Sequence, residues 1–274
     1  MPRPPVPADA ARPLAELPAT ALRSALGVLT DIDDTLTRDG ALDPEAARAL
    51  DALREAAIPV VAITGRPQGW SEPFAQAWPV AAIVAENGAV ALIPQAGRVH
   101  IEYAQDAPTR RRNAERLRTA AARVLREVPG ATLARDSAGR VTDIAIDHAE
   151  YARLDAAQVD RVVAVMRAEG LNATVSSIHV NGWFGAHDKL SGARWIVRRL
   201  FGRDLDAEAG QWLYVGDSTN DQTMFGHFAL SVGVANLLHF AGQLHTWPRY
   251  LAQGERGAGF AEVADGLLAA RRAA

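Results

Sequence analysis

Five short runs of the chain, LGVLT, IPVVAIT, VAAIVAE, QWLYVG and FALSVGV, are apolar without alternating in polarity. A strand with one face in water alternates; a strand covered on both faces does not. Stretches of helical pattern separate the runs. Asp43-Pro44 opens one of them, an N-cap with proline at the first helical position, and sets Leu50 and Leu53 on one face. Others are expected over 68–78, 190–201 and 218–226. Strand alternating with helix predicts an α/β fold with a Rossmann-like, doubly wound parallel sheet.

The ends of the runs carry the chemistry. The first passes into TDIDDT, the second into TGR, the third into AEN and the fourth into GDSTND. In a parallel sheet these ends share one edge, the edge where ligands bind. Asp31, Asp33 and Asp34 repel one another and are costly to desolvate. A solvated turn would account for that stretch alone, but several converging acids are better explained by a divalent cation among them. The chain has no cysteine, and its seven histidines form no H-x-x-x-H pair, so the donors must be mainly oxygen, as Mg²⁺ prefers.

All but one of the 29 basic residues are arginine; the exception is Lys189. Either it survives by chance in an Arg-rich composition, or a site needs a compact point charge that a planar guanidinium cannot replace. With a Thr hydroxyl, backbone N–H groups and this ammonium beside the acids, the sheet edge suits a metal-bound phosphate.

The spacing of the units is uneven. From Thr64 to Lys189 the chain runs 125 residues, whereas a βαβ unit needs about 30. The excess holds a hairpin pattern over 89–93 and 99–103, helices near 108–128 and 154–168, strands near 132–135 and 141–147, and a run over 172–180. This predicts an inserted α+β cap over 88–185, between core segments 26–87 and 186–274. Its hinges are expected near Asn87-Gly88 and Gly182–Gly185, where glycines absorb backbone rotation. Residues 1–25, Pro- and Ala-rich without the apolar centre of a signal peptide, are expected to be a flexible leader on a cytoplasmic protein. A net charge of -3 gives no basic field for nucleic acid, and no stretch approaches the roughly 20 apolar residues of a membrane span. The oligomeric state is not legible.

The quoted motifs resemble those of the haloacid-dehalogenase superfamily of phosphohydrolases. DIDDT looks like its D-x-D-x-T motif, AITGR with Thr64 the second, Lys189 the third and GDSTND the fourth, in matching order and strand context. VAENGAV and ERGAGFAEVADGLL are similar to the Cof-type branch, which includes sucrose-phosphate and mannosyl-phosphoglycerate phosphatases. The resemblance implies Asp31 as nucleophile and Asp33 as general acid and then base. It implies Mg²⁺ held by Asp31, Asp217 and the Asp33 carbonyl, with Asp221 in support. It also implies phosphate binding by Thr64, Gly65, Lys189 and Asn220. The segment SSIHVNGWFGAHDK returns from the cap towards the site, so His179, Asn181 and His187, with Arg66, are candidates for substrate specificity. Asp34 reads as a turn residue, and Arg110-Arg111-Arg112 as a solvated helix face.

The expected activity is a Mg²⁺-dependent phosphatase of small organic phosphate monoesters, with sugar or sugar-acid phosphates the leading class. A phosphosugar mutase of the phosphomannomutase type is the alternative. A dehalogenase would lack Asp33, and a response-regulator-like switch would need neither that second acid nor a cap.

Overall fold

The computed structural model describes residues 11–273. The first ten residues of the expected leader lie outside them. Nine strands form the central sheet, in the order Arg12–Pro13, Tyr250–Leu251, Leu230–Gly233, Trp212–Gly216, Gly27–Thr30, Val60–Ile63, Ala82–Ala85, Val90–Gln95 and Arg98–Tyr103. The first seven run parallel and the last two antiparallel. Every residue of Gly27–Thr30, Val60–Ile63, Ala82–Ala85, Trp212–Gly216 and Leu230–Gly233 is buried, which is why these runs show no alternation.

Helices cover both faces. Leu50 and Leu53, from a helix over Pro44–Glu55 capped by Asp43, pack on one face with Phe260 and Leu267. Leu190, Ile196 and Val197 pack on the other with Trp212 and Phe225. The chain leaves Gly27–Thr30 for Val60–Ile63 on one side and returns in Trp212–Gly216 on the other. The order therefore switches at the end of Gly27–Thr30, where Asp31 begins the next segment.

Three expectations need correction. The hairpin of Val90–Gln95 and Arg98–Tyr103 belongs to the core, because Ile83 pairs with Leu92 and so adds both strands to the central sheet. The inserted unit is accordingly shorter than 88–185: its elements begin with the helix Ala107–Glu127 and end with the strand His179–Trp183. Asn87-Gly88 then lies inside the core, and the links to the cap fall at 104–106 and 184–188. Finally, residues 11–25 are built in. Arg12–Pro13 pairs with Tyr250–Leu251, Arg12 donates to the Tyr250 hydroxyl at 2.6 Å, and the helix Ala19–Ser24 buries Leu22 in the core.

Gly88 has a structural duty that explains its φ of 102°. A Cβ there would run into the carbonyl of Asp188 and the Cα of Gly192. Its absence lets the helix Lys189–Phe201 approach the strand ends and carry Lys189 to them.

The cap is a four-stranded antiparallel sheet, ordered Asn172–Val175, His179–Trp183, Asp143–Asp147 and Thr132–Leu133. The expected run over 172–180 is therefore two strands joined by a turn. Ile146 and Val180 share an apolar cluster with Leu117 and Val124 of Ala107–Glu127 and Val162 and Met166 of the helix Ala156–Ala168. Side chains alternate across a strand, so Asp143, Asp147, His179, Asn181 and Trp183 occupy the opposite face, towards the core.

Candidate active site

Asp31, 4% exposed, sits at the switch point with its N–H donated to the Val215 carbonyl. Lys189 reaches it from the helix Lys189–Phe201, whose N-cap is Asp188, accepting from the Ser191 N–H at 2.7 Å. Asp188 is thus occupied in capping. The Lys189 ammonium donates to Asp31 Oδ1 at 2.5 Å, Asp221 Oδ1 at 2.7 Å and Asn220 Oδ1 at 3.4 Å. Asp221 is fully partnered: Oδ1 also accepts from the Tyr214 hydroxyl at 2.6 Å, and Oδ2 from the N–H groups of Asp217 and Ser218. Asp217 Oδ2 accepts from Asn236 Nδ2 at 3.1 Å, while its buried Oδ1 has no partner among the described residues.

Asp31, Asp217 and Asp221 each offer an oxygen within 4.8 Å of the others. If all three carboxylates are ionised, one ammonium leaves two negative charges uncompensated in a buried space. Burial, reinforced by Asp31 and Asp221, pushes the Asp217 carboxyl well above its ordinary range. Burial also raises Asp31, against Lys189 and with the help of Asp221 and Asp33. Lys189 itself is favoured as the cation, because Asp221 and Asp31 outweigh its desolvation. An all-oxygen donor set with an orphaned Asp217 oxygen and two uncompensated charges fits a divalent hard cation. Asp31 and Asp217 are free to ligate it; Asp221, fully hydrogen-bonded, supports them from behind.

The second strand end completes the floor. Thr64 is buried, and its Oγ1 accepts from the Arg66 N–H at 3.0 Å. A Cβ on Gly65 would lie 3.2 Å from Asn181 Oδ1 and 3.3 Å from Asn87 Oδ1, so glycine leaves the space above the strand end open. The Gly65 carbonyl accepts from two cap side chains, Asn181 at 3.1 Å and Arg140 at 2.9 Å. Asn220 Oδ1 accepts from Ser218 Oγ as well as from Lys189. Asp33 lies to one side, paired with Arg66.

Of the specificity candidates, Arg66, His179 and Asn181 meet at the core–cap junction, with His179 Nε2 3.0 Å from Glu150. His187 lies apart from them. It stacks on Trp183 with 5.7 Å between ring centroids and lines a cavity of about 610 Å³ shared with Lys189 and Asn220. Asp34 is a turn residue with φ of 55°, held by Arg256 at 2.8 Å. Arg111 and Arg112 are exposed on the cap helix, while Arg110 lies 3.7 Å above the Tyr103 ring.

Several residues of the site escaped the sequence reading. Tyr214 and Asn236 orient the acids from apolar-looking segments and belong to none of the quoted motifs. Glu86 receives the N–H groups of Val141 and Thr142 and the Thr142 hydroxyl, clamping the cap to the core. Arg140 pairs with Asp143 at 2.9 Å beneath Asn181. A period-two signal was present, since DIAID places Asp143 and Asp147 on one face.

With this geometry, residues 28–110 match the family model for haloacid dehalogenase-like hydrolases. Over that segment the chain is similar to haloacid dehalogenase-like hydrolases. Its fold resembles that of a Thermoplasma acidophilum protein (TM-score 0.68, 14% identity, 89% of this chain and 98% of that one). It is also similar to a HAD/COF-like hydrolase from Plasmodium vivax (0.65, 17%, 91% and 98%). A third likeness is to the sucrose-phosphatase of Synechocystis, solved with sucrose and phosphate (0.63, 17%, 89% and 98%). No curated protein sequence matches the chain. Among the described residues, no helix is long and apolar enough to cross a membrane.

Proposed function

We propose that this hydrolase is a Mg²⁺-dependent phosphatase of small phosphate monoesters, acting through a phosphorylated Asp31. The observation that carries the reading is the buried cluster of Asp31, Asp217 and Asp221 around one ammonium, with two negative charges left over at the sheet's switch point. Mg²⁺ held by Asp31 and Asp217 would supply positive charge against the phosphoryl oxygens. Asp31 attacks phosphorus, and the ester oxygen leaves with a proton from Asp33. Lys189, Thr64 and the Gly65 N–H bind the equatorial oxygens as charge develops there. Asp33, now a carboxylate, takes a proton from the water that hydrolyses phospho-Asp31. The product is inorganic phosphate, and both acids return to their starting states.

Sugar phosphates remain the leading substrate class. The cavity beside Lys189 is of metabolite size. It is lined in part by His187 and Thr174, whose buried Nε2 and Oγ1 have no partner among the described residues. Such groups are ordinarily satisfied, and ligand hydroxyls could satisfy them after a small shift of either side chain. The sucrose-phosphatase likeness points the same way. A screen of sugar, nucleotide and cofactor phosphates for phosphate release tests the reading. We expect Mg²⁺-dependent release, abolished by EDTA, with sugar phosphates preferred. Interconversion of sugar-phosphate isomers without release would favour the mutase, and inactivity across the screen would remove the phosphatase.

A further inference from the structure

Arg66 was expected to face the substrate, but each nitrogen of its guanidinium already donates to a carboxylate. It is 4% exposed. Nε donates to both oxygens of Asp33, at 2.9 and 3.1 Å. Nη2 donates to Glu150 Oε1 at 2.8 Å, and Nη1 to Asp136 Oδ2 at 3.2 Å and Glu150 Oε2 at 3.4 Å. The guanidinium also lies 4.9 Å from the centroid of the Trp70 ring. Asp33 belongs to the core, whereas Glu150 and Asp136 belong to the cap, so one planar side chain joins the two domains at the acid–base residue.

The cap side of this junction is itself braced. Glu150 meets His179 at 3.0 Å, and its N–H donates to Asp147. Asp136 accepts from Arg140 at 3.1 Å. A guanidinium gripped this way on two edges has one orientation for its third edge, and that edge holds Asp33. A lysine in its place would offer a point charge without the fork.

Resting on the phosphatase reading, we propose that Arg66 is a positioning residue through which the docked cap sets Asp33. Glu150 and Asp136 aim the guanidinium, and the guanidinium fixes the carboxyl that must meet the departing oxygen. A cap carboxylate that touches neither Asp31 nor Asp33 therefore governs proton delivery to the leaving group.

The test compares p-nitrophenyl phosphate with phenyl phosphate, two probes of similar shape whose leaving groups differ in their need for a proton. Measured on wild type, Glu150→Gln and Arg66→Lys, kcat/KM reports the steps through loss of the leaving group. Glu150→Gln keeps the shape of its residue and is expected to fold, which circular dichroism checks. Because general acid catalysis is worth roughly 10²–10⁴-fold, both variants should lose at least about tenfold on phenyl phosphate and less than about threefold on p-nitrophenyl phosphate. Inhibition by inorganic phosphate should stay within about twofold of wild type, since neither side chain is hydrogen-bonded to Thr64, Gly65, Lys189 or Asn220. Equal loss on the two probes by Glu150→Gln, or loss on neither, overturns the proposal. A wild type inert toward both probes overturns the phosphatase reading itself, and the proposal with it.

Discussion

At the scale of the residue, the lone lysine is the most exposed claim. Its ammonium, on a side chain almost wholly buried, sits 2.5 and 2.7 Å from two carboxylates, a geometry set for a point charge. Lys189→Arg should keep the charge, misplace it, and cost at least about tenfold in kcat/KM, roughly 1.4 kcal/mol of transition-state stabilisation. An unimpaired variant would mean that its singularity is only compositional. His187 gives a prediction about pH. Burial pulls its imidazole down to about 4 from an ordinary 6.5, with Asp188 opposing. The unfolded chain therefore takes up a proton at a higher pH than the folded one. Stability should fall as pH drops from about 6.5 towards 4, with no further loss from this group below that. His187→Gln should flatten this part of a Tm-against-pH profile, and an identical slope in the variant would count against the assignment. The polar motifs at the strand ends were legible because each is local, a cluster at the end of an apolar run, and Lys189 because it is the lone lysine. Tyr214 and Asn236 were not, because a buried tyrosine in a strand and a buried asparagine in a short helical segment acquire their purpose only from Asp221 and Asp217 across the fold.

At the scale of the element, parallel strands announce themselves through continuous burial, and the five core runs were readable for that reason. The hairpin over Val90–Tyr103 was misplaced because an antiparallel pair looks alike whether it founds a new sheet or extends an old one; only the pairing of Ile83 with Leu92 decides. The cap–core contacts were equally hidden, since Glu86 and Thr142 are 56 residues apart and Arg66 and Glu150 are 84 apart. Glu86 illustrates what such a contact does. It is fully buried with φ of 50°, and its carboxylate accepts from Gln68, Val141 and Thr142. Glu86→Gln puts an amide among donors, leaving at least one of them unsatisfied, and should cost about 1–3 kcal/mol in a urea titration. Hydrogen exchange at the Val141 and Thr142 amides should quicken in the same variant. Unchanged stability and exchange would mean that the clamp carries no strain or load.

At the scale of the whole molecule, two domains share one charged seam. The cap turns an apolar sheet face to its own helices and a polar face to the core, where its carboxylates meet Arg66 and its Arg140 donates to the Gly65 carbonyl. The core supplies the acid cluster and, on our reading, a seat for Mg²⁺. EDTA should abolish activity, Mg²⁺ should restore it, and Ca²⁺ should restore it poorly because its looser coordination misplaces in-line attack. Full turnover by metal-stripped protein would refute that seat. The claim on which everything else depends is covalent catalysis by Asp31. The direct measurement is to mix enzyme, Mg²⁺ and a phosphate monoester found to be turned over, quench in acid during turnover, and map the phosphoryl group by mass spectrometry. We predict that it lies on the peptide carrying Asp31 and is missing, together with turnover, from a folded Asp31→Asn protein. Undiminished phosphate release by Asp31→Asn, or a phosphoryl group carried on another residue, would contradict the account.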